Sequence, residues 1–87
     1  MLNESIRYVG DALYCDDVPV REIAAQAGTP LYVYSLRRVL ANYRRIQSAF
    51  APLGAELHYS IKANGNLTLL RTLVGVGAGM DAVSGGE

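Results

Sequence analysis

The chain opens on two short apolar runs and then changes period. IRYV (residues 6–9) and ALYC (12–15) predict two strands joined by Gly10-Asp11, a glycine-first pair that suits a two-residue hairpin. Pro19 stands near the start of a short helical pattern with Ile23, Ala24 and Ala27 on one side, where a missing N–H costs nothing. Gly28 ends that pattern, and Thr29-Pro30 prevents its return. LYVYS (31–35) is rich in β-branched and aromatic residues and predicts a strand. Ser35 is placed to cap a long helix whose Leu36, Val39, Leu40, Tyr43, Ile46 and Phe50 make one apolar stripe, stopped by Pro52 and Gly54. AELHYSI (55–61) predicts a second strand of this part of the chain, ending at Lys62. Asn66 is the cap expected for a helix over 67–76, with Leu70, Leu73 and Val74 inward, and MDAVS (80–84) predicts a third strand.

From Leu31 onward the order is strand, helix, strand, helix, strand. That alternation predicts an α/β fold with a parallel sheet and right-handed crossovers, either an open layer or part of a (β/α)8 barrel. A complete barrel needs about 250 residues, and the 87 here are enough for one small domain only.

Composition narrows the function classes. A hydrophobic fraction of 51% and a charged fraction of 18% suit a folded globular chain. Net charge is zero and no basic run is interleaved with aromatics, so nucleic acid is not an expected partner. Arg37, Arg38, Arg44 and Arg45 fall on the polar side of the long helix and read as a solvated face. The single cysteine, Cys15, has no internal disulfide partner and reads as a packed thiol. No segment has the organisation of a signal peptide, and no apolar run reaches the ~18 to 20 residues of a membrane span. Those two readings give a cytoplasmic expectation.

Lys62 is the only lysine of the chain, at the end of an apolar run and before Ala63, Asn64, Gly65 and Asn66. Strand alternation would put His58, Ser60 and Lys62 on one face, with Leu57, Tyr59 and Ile61 on the other. In α/β sheets ligands bind at the carboxyl ends of strands, which is where Lys62 falls. Two readings stand side by side. Lys62 marks where a strand leaves the core, with its ammonium in water. Alternatively, it is a Schiff-base lysine, whose amine is freed as a nucleophile by desolvation. His58 lies two residues deeper, where a hydrogen-bonded core histidine is the ordinary occupant. Gly75, Gly77 and Gly79 precede a strand instead of a helix, so they read as turn and close-packing residues and not as a phosphate cradle.

Three segments carry a resemblance: TPLYVYS (29–35), HYSIKANGN (58–66) and GAGMDAVSGGE (77–87). In order and spacing they resemble the N-terminal part of the diaminopimelate decarboxylases, members of the fold-type III pyridoxal-phosphate decarboxylases together with the ornithine and arginine enzymes. The resemblance implies that residues 29–87 are the first βαβαβ units of a pyridoxal-phosphate-binding (β/α)8 barrel. It also implies that residues 1–28, hairpin and short helix, belong with a second β-domain. Lys62 would hold pyridoxal 5′-phosphate. Asp81 matches an acidic residue near the cofactor lysine, set to pair with its ammonium or polarise the groups around it, although an aspartate hydrogen-bonded to loop amides fits the sequence equally. Ser60 is small, as a residue beneath a flat ring should be, and Glu87 would also reach the site.

The resemblance further implies an amino-acid substrate, decarboxylation of meso-diaminopimelate to L-lysine, and a homodimer for the full-length protein. The family's glycine-rich phosphate loop, its acidic partner to the ring nitrogen, its substrate-binding arginine and its C-terminal cysteine and tyrosine have no counterpart in these residues. Cys15 is in the wrong place to supply that cysteine. The chain is therefore read as a truncation, inactive alone, with strand edges that invite aggregation. The alternatives are a decarboxylase for ornithine, arginine or another amino acid, a non-catalytic regulatory relative, and a plain α/β domain with Lys62 as bystander. VSGGE and TPLYVYS favour the diaminopimelate branch; retention of Lys62 speaks against the regulator.

Overall fold

The computed structural model describes residues 4–82 and Gly85. They divide into two compact units, residues 1–38 and 39–87.

The first unit is built on an antiparallel sheet of β1 (Ile6–Val9), β2 (Ala12–Cys15) and β3 (Val18–Pro19), in that order. β1 and β2 pair from Ile6↔Cys15 to Val9↔Ala12. Gly10 turns between them at φ 64°, a left-handed conformation that costs glycine nothing. The second turn is made by Asp16 and Asp17, with Asp16 at φ 54°, which aspartate tolerates better than most residues. β3 is absent from the sequence reading. It has two residues, paired as Tyr14↔Pro19 and Cys15↔Val18, too few to show a period. Pro19 sits in this edge strand, where a missing donor is tolerated, and leads straight into α1 (Val20–Ala27). Gly28 ends α1 as expected, its N–H donating to the Ala24 carbonyl at 2.8 Å.

Cys15 is buried, and burial, reinforced by the neighbouring Asp16 charge, pushes its thiol pKa up. The turn that follows is tied down by side chains. Arg7 Nη1 donates to the Asp16 carbonyl at 2.6 Å. Ser35 Oγ donates to Asp16 Oδ1 at 2.7 Å and accepts from the Arg38 N–H at 3.0 Å. Ser35 thus caps α2 (Leu36–Phe50), as expected, while being held by the hairpin turn. Arg37 pairs with Asp17, and its hydrogen bond and charge hold that carboxyl below the usual range.

The strand expected at 31–35 does not form. Leu31 and Val33 are half-buried and Ser35 is buried while Tyr32 and Tyr34 are exposed, so the period of two is present. Among the described residues no ladder pairs with it, and a strand exists only by pairing. The observed order in this part of the chain therefore begins with a helix.

In the second unit, a 3₁₀ turn (Ala51–Leu53) and left-handed Gly54, at φ 64°, end the long helical segment. β4 (His58–Ser60) and β5 (Gly79–Asp81) pair in parallel, joined through α3 (Leu67–Gly75). This is the crossover expected from the sequence, with shorter strands. The segment 55–61 contributes three strand residues, because Ile61–Ala63 turn into a 3₁₀ helix. The third predicted strand begins at Gly79 instead of Met80, and its residues 83 and 84 lie outside the described residues, as does Glu87.

Leu69, Leu73 and Ala78 form the buried core, with Val39, Tyr43, Tyr59, Leu70 and Met80 packed against it. Leu69 therefore replaces Val74 on the inner face of α3: Leu69 and Leu73 are one turn apart, whereas Val74 is 55% exposed. The stripe of α2 is only partly covered, since Ile46 and Phe50 are exposed. Among the described residues no helix is long and apolar enough to cross a membrane, and no group of His, Cys, Asp and Glu is placed to hold a metal ion.

Candidate functional site

Two faces of the β4–β5 pair separate structure from chemistry. Tyr59 and Met80 are register partners and both pack against the Leu69–Leu73–Ala78 core. His58↔Gly79 and Ser60↔Asp81 are the alternating pairs, so their side chains belong to the opposite face. Adjacent strands lie about 4.8 Å apart, which sets Ser60 and Asp81 side by side at the carboxyl ends of two parallel strands. This is where the sequence placed the candidate site.

Ser60 Oγ is buried and has no hydrogen-bond partner among the described residues. A buried hydroxyl left unpaired is costly, and such a group calls for a partner that the described residues do not provide. Asp81 is exposed.

Lys62 is reached differently from the expectation. The extended backbone stops at Ser60, and Lys62 is the middle residue of the Ile61–Ala63 turn. Strand alternation therefore does not carry to it: a 3₁₀ turn redirects side chains by about 120° per residue instead of 180°. Lys62 is exposed, not partly buried, and forms no ion pair with Asp81. The turn delivers its amine to the carboxyl end of β4 without sinking it in the core.

His58 also departs from its reading as a core histidine. Its side chain is 53% exposed, and Nε2 lies 3.4 Å from Glu56 Oε2. The ring lies over Gly79, where an added Cβ would come within 2.5 Å of Nδ1. Gly79 is thus a close-packing glycine, as its sequence context suggested. Gly79→Ala is expected to swing the imidazole away and break its approach to Glu56, visible as changed His58 ring shifts by NMR, with the β4–β5 ladder retained.

What sequence reasoning missed is the bracing of the lysine turn. Tyr59 Oη donates to the Asn64 carbonyl at 2.9 Å. Asn64 Oδ1 accepts from the Asn66 N–H at 3.0 Å, and Asn66 Oδ1 accepts from the Leu69 N–H at 3.1 Å, capping α3. Of these, only the Asn66 cap had a sequence signal.

Comparison with known proteins identifies the family. The family model described as pyridoxal-dependent decarboxylase, pyridoxal binding domain, matches residues 36–87. A diaminopimelate decarboxylase of Neisseria meningitidis serogroup A is 44% identical over 75 residues, covering 86% of this chain and 18% of that protein. The diaminopimelate decarboxylase of Pseudomonas fluorescens is 39% identical over 84 residues, 97% of this chain and 20% of the relative. That of Aquifex aeolicus is 39% identical over 85 residues, with 98% and 20% covered. The chain thus spans about a fifth of the length of the curated relatives it matches. No solved structure gives a significant match.

The residues present fit a pyridoxal cofactor. An accessible primary amine is what an aldehyde needs, and the orphan Ser60 hydroxyl beside Asp81 offers polar contacts on the same strand ends. The chain belongs to the pyridoxal-dependent decarboxylases, through the domain that binds pyridoxal.

Proposed function

We propose that these residues are the N-terminal part of a pyridoxal-phosphate-dependent decarboxylase that converts meso-diaminopimelate to L-lysine and carbon dioxide. The observation that carries the reading is a lone lysine on the turn leaving a parallel strand, in a chain 36–44% identical to diaminopimelate decarboxylases. In this reading β4 and β5 are strands of a (β/α)8 barrel, and the β1–β2–β3 sheet belongs to a separate β-domain. The intact protein is a cytoplasmic homodimer.

Lys62, Ser60 and Asp81 would hold the cofactor: Lys62 through Nζ, Ser60 and Asp81 from the neighbouring strand ends. When bound, pyridoxal phosphate supplies the electron sink that accepts the charge left on the substrate α-carbon as its carboxylate departs as carbon dioxide. Asp81 contributes an exposed carboxylate at the neighbouring strand end, available to groups of the bound cofactor or substrate. Ser60 is small enough to leave room for a flat ring and keeps a hydroxyl free to donate to it. Once free, Lys62 Nζ is the group that returns or holds a proton at the substrate α-carbon.

The test is an intact protein of the relatives' length, incubated with pyridoxal phosphate and separately with meso-diaminopimelate, ornithine and arginine. Lysine and carbon dioxide are expected in equal amounts from diaminopimelate, and no turnover from the other two. Turnover of ornithine or arginine alone would move the assignment to another branch, and absence of any decarboxylation would overturn it. The 87 residues alone are expected to show no turnover, since roughly four-fifths of the relatives' length is not among them.

A further inference from the structure

We infer that Tyr59 is a positioning residue for Lys62, acting through the bond from its hydroxyl to the Asn64 carbonyl. The inference rests on the reading that Lys62 holds the cofactor, and extends it to a residue whose side chain faces away from the site.

The turn that carries Lys62 is a weak element by itself. A 3₁₀ turn of three residues has poor internal hydrogen-bond geometry and few bonds to hold it. Its C-terminal flank, Asn64, is extended at φ −165° and ψ 115°, so no continuing helix restrains it. The Lys62 side chain makes no hydrogen bond or ion pair with the described residues and contributes no restraint of its own. Precision at its Nζ must come from what holds the two ends of the turn.

One end is fixed by the β4–β5 ladder, through Ser60↔Asp81. The other end is fixed by Tyr59. Its ring packs on the Leu69–Leu73–Ala78 core, so the position of its hydroxyl is set by the core and not by solvent. From there Oη reaches forward past four residues to the Asn64 carbonyl, at 2.9 Å. The bond closes a loop around Ser60, Ile61, Lys62 and Ala63. Beyond it, the Asn64 side chain takes the Asn66 N–H and the Asn66 side chain takes the Leu69 N–H, which ties the same flank to the first turn of α3. Tyr59 thus transmits the rigidity of the core to an exposed amine. A ring alone would fill the same space; the hydroxyl is needed only for the bond.

Tyr59→Phe separates the two roles, because it keeps the ring and removes the bond. In the intact protein the melting temperature should stay within a few degrees of the parent. Hydrogen exchange of the backbone amides in residues 61–69 should speed up about tenfold in the cofactor-free protein, the scale of opening that one lost hydrogen bond allows. Capture of added pyridoxal phosphate should slow about tenfold, since small displacements of a reacting group carry large rate penalties. The pH midpoint of the visible absorbance of the loaded protein should also move, which a packing role would leave in place. Unchanged exchange together with an unchanged pH midpoint overturns the inference, and so does global unfolding of Tyr59→Phe, which would put the hydroxyl at the service of the core. Lys62→Ala, run in parallel, keeps the failures apart. If that variant still captures the cofactor, the role of Lys62 is wrong, while the exchange measurement continues to report whether Tyr59 holds the turn.

Discussion

Lys62→Ala, introduced into the intact protein, is expected to abolish the visible absorbance of bound pyridoxal phosphate and to lower carbon dioxide release by roughly 10³-fold or more, the scale that follows if one group both holds a cofactor and moves a proton. The side chain is exposed and has no partner among the described residues whose loss would disturb the fold. Its removal should therefore change stability by no more than about 0.5 kcal/mol, as surface substitutions usually do. That contrast makes the experiment decisive: chemistry collapses while the melting curve of the cofactor-free protein stays put, the comparison being made without cofactor because a bound ligand itself raises the melting temperature. Lys62→Arg sharpens it. Arginine keeps the positive charge, yet its guanidinium is protonated at every working pH and is no nucleophile. The same loss in Lys62→Arg locates the requirement in a free amine; restored activity would assign it to charge and end the proposal. Borohydride reduction followed by peptide mapping gives an independent reading, because the cofactor mass should appear on the peptide containing Lys62 and on no other.

The second large effect is on stability. Leu73→Ala should cost about 2–4 kcal/mol, the range for truncating a buried leucine into a cavity. Leu73 is 4% exposed and sits in a core whose only other buried members are Leu69 and Ala78, among the described residues. It also borders an existing cavity of about 300 Å³, lined by Val39, Tyr43, Ile46, Leu57 and Tyr59 among others. Truncation would enlarge a space that its neighbours have not already collapsed to fill. Against a total stability of roughly 5–15 kcal/mol for an ordinary domain, this is a large fraction. Val74→Ala, on the next residue of the same helix, is the control: Val74 is 55% exposed and should cost much less. Denaturant midpoints of the two variants in the intact protein check the pair, and equal losses would mean that the core is not organised around Leu73.

Local signals in the sequence were read well where a single residue dictates a single conformation. Gly10 and Gly28 have positive φ where turns were expected, and Ser35 and Asn66 accept the amide hydrogens that a cap should accept. The parallel pairing of β4 and β5 followed from the alternation of strand and helix. What failed depends on partners. Residues 31–35 keep a strand's alternation of exposure but have no ladder, and pattern alone cannot supply one. Val18–Pro19 were missed for the opposite reason: pairing with Cys15 and Tyr14 makes them a strand although two residues carry no period.

The motif around Lys62 led to the right family, and the strand before it is formed by His58–Ser60. The conformation of the lysine did not follow, because nothing in the letters IKA announces a 3₁₀ turn where an apolar run continues. The Tyr59 bond was illegible for a related reason. Its acceptor is a backbone carbonyl, which every residue has, so no residue type marks it.

The sealed thiol of Cys15 offers a clock for the hairpin. It is 5% exposed, and its raised pKa keeps it in the unreactive form at neutral pH. A maleimide or disulfide reagent reaches it when the groups around it part, its own sheet or Ile23, Val33 and Leu36, which line the same pocket, so the modification rate, compared with that of a free peptide thiol, counts how often this unit breathes. As the 87 residues contain no other cysteine, that rate, measured on them, reports on a single thiol and so on this unit alone.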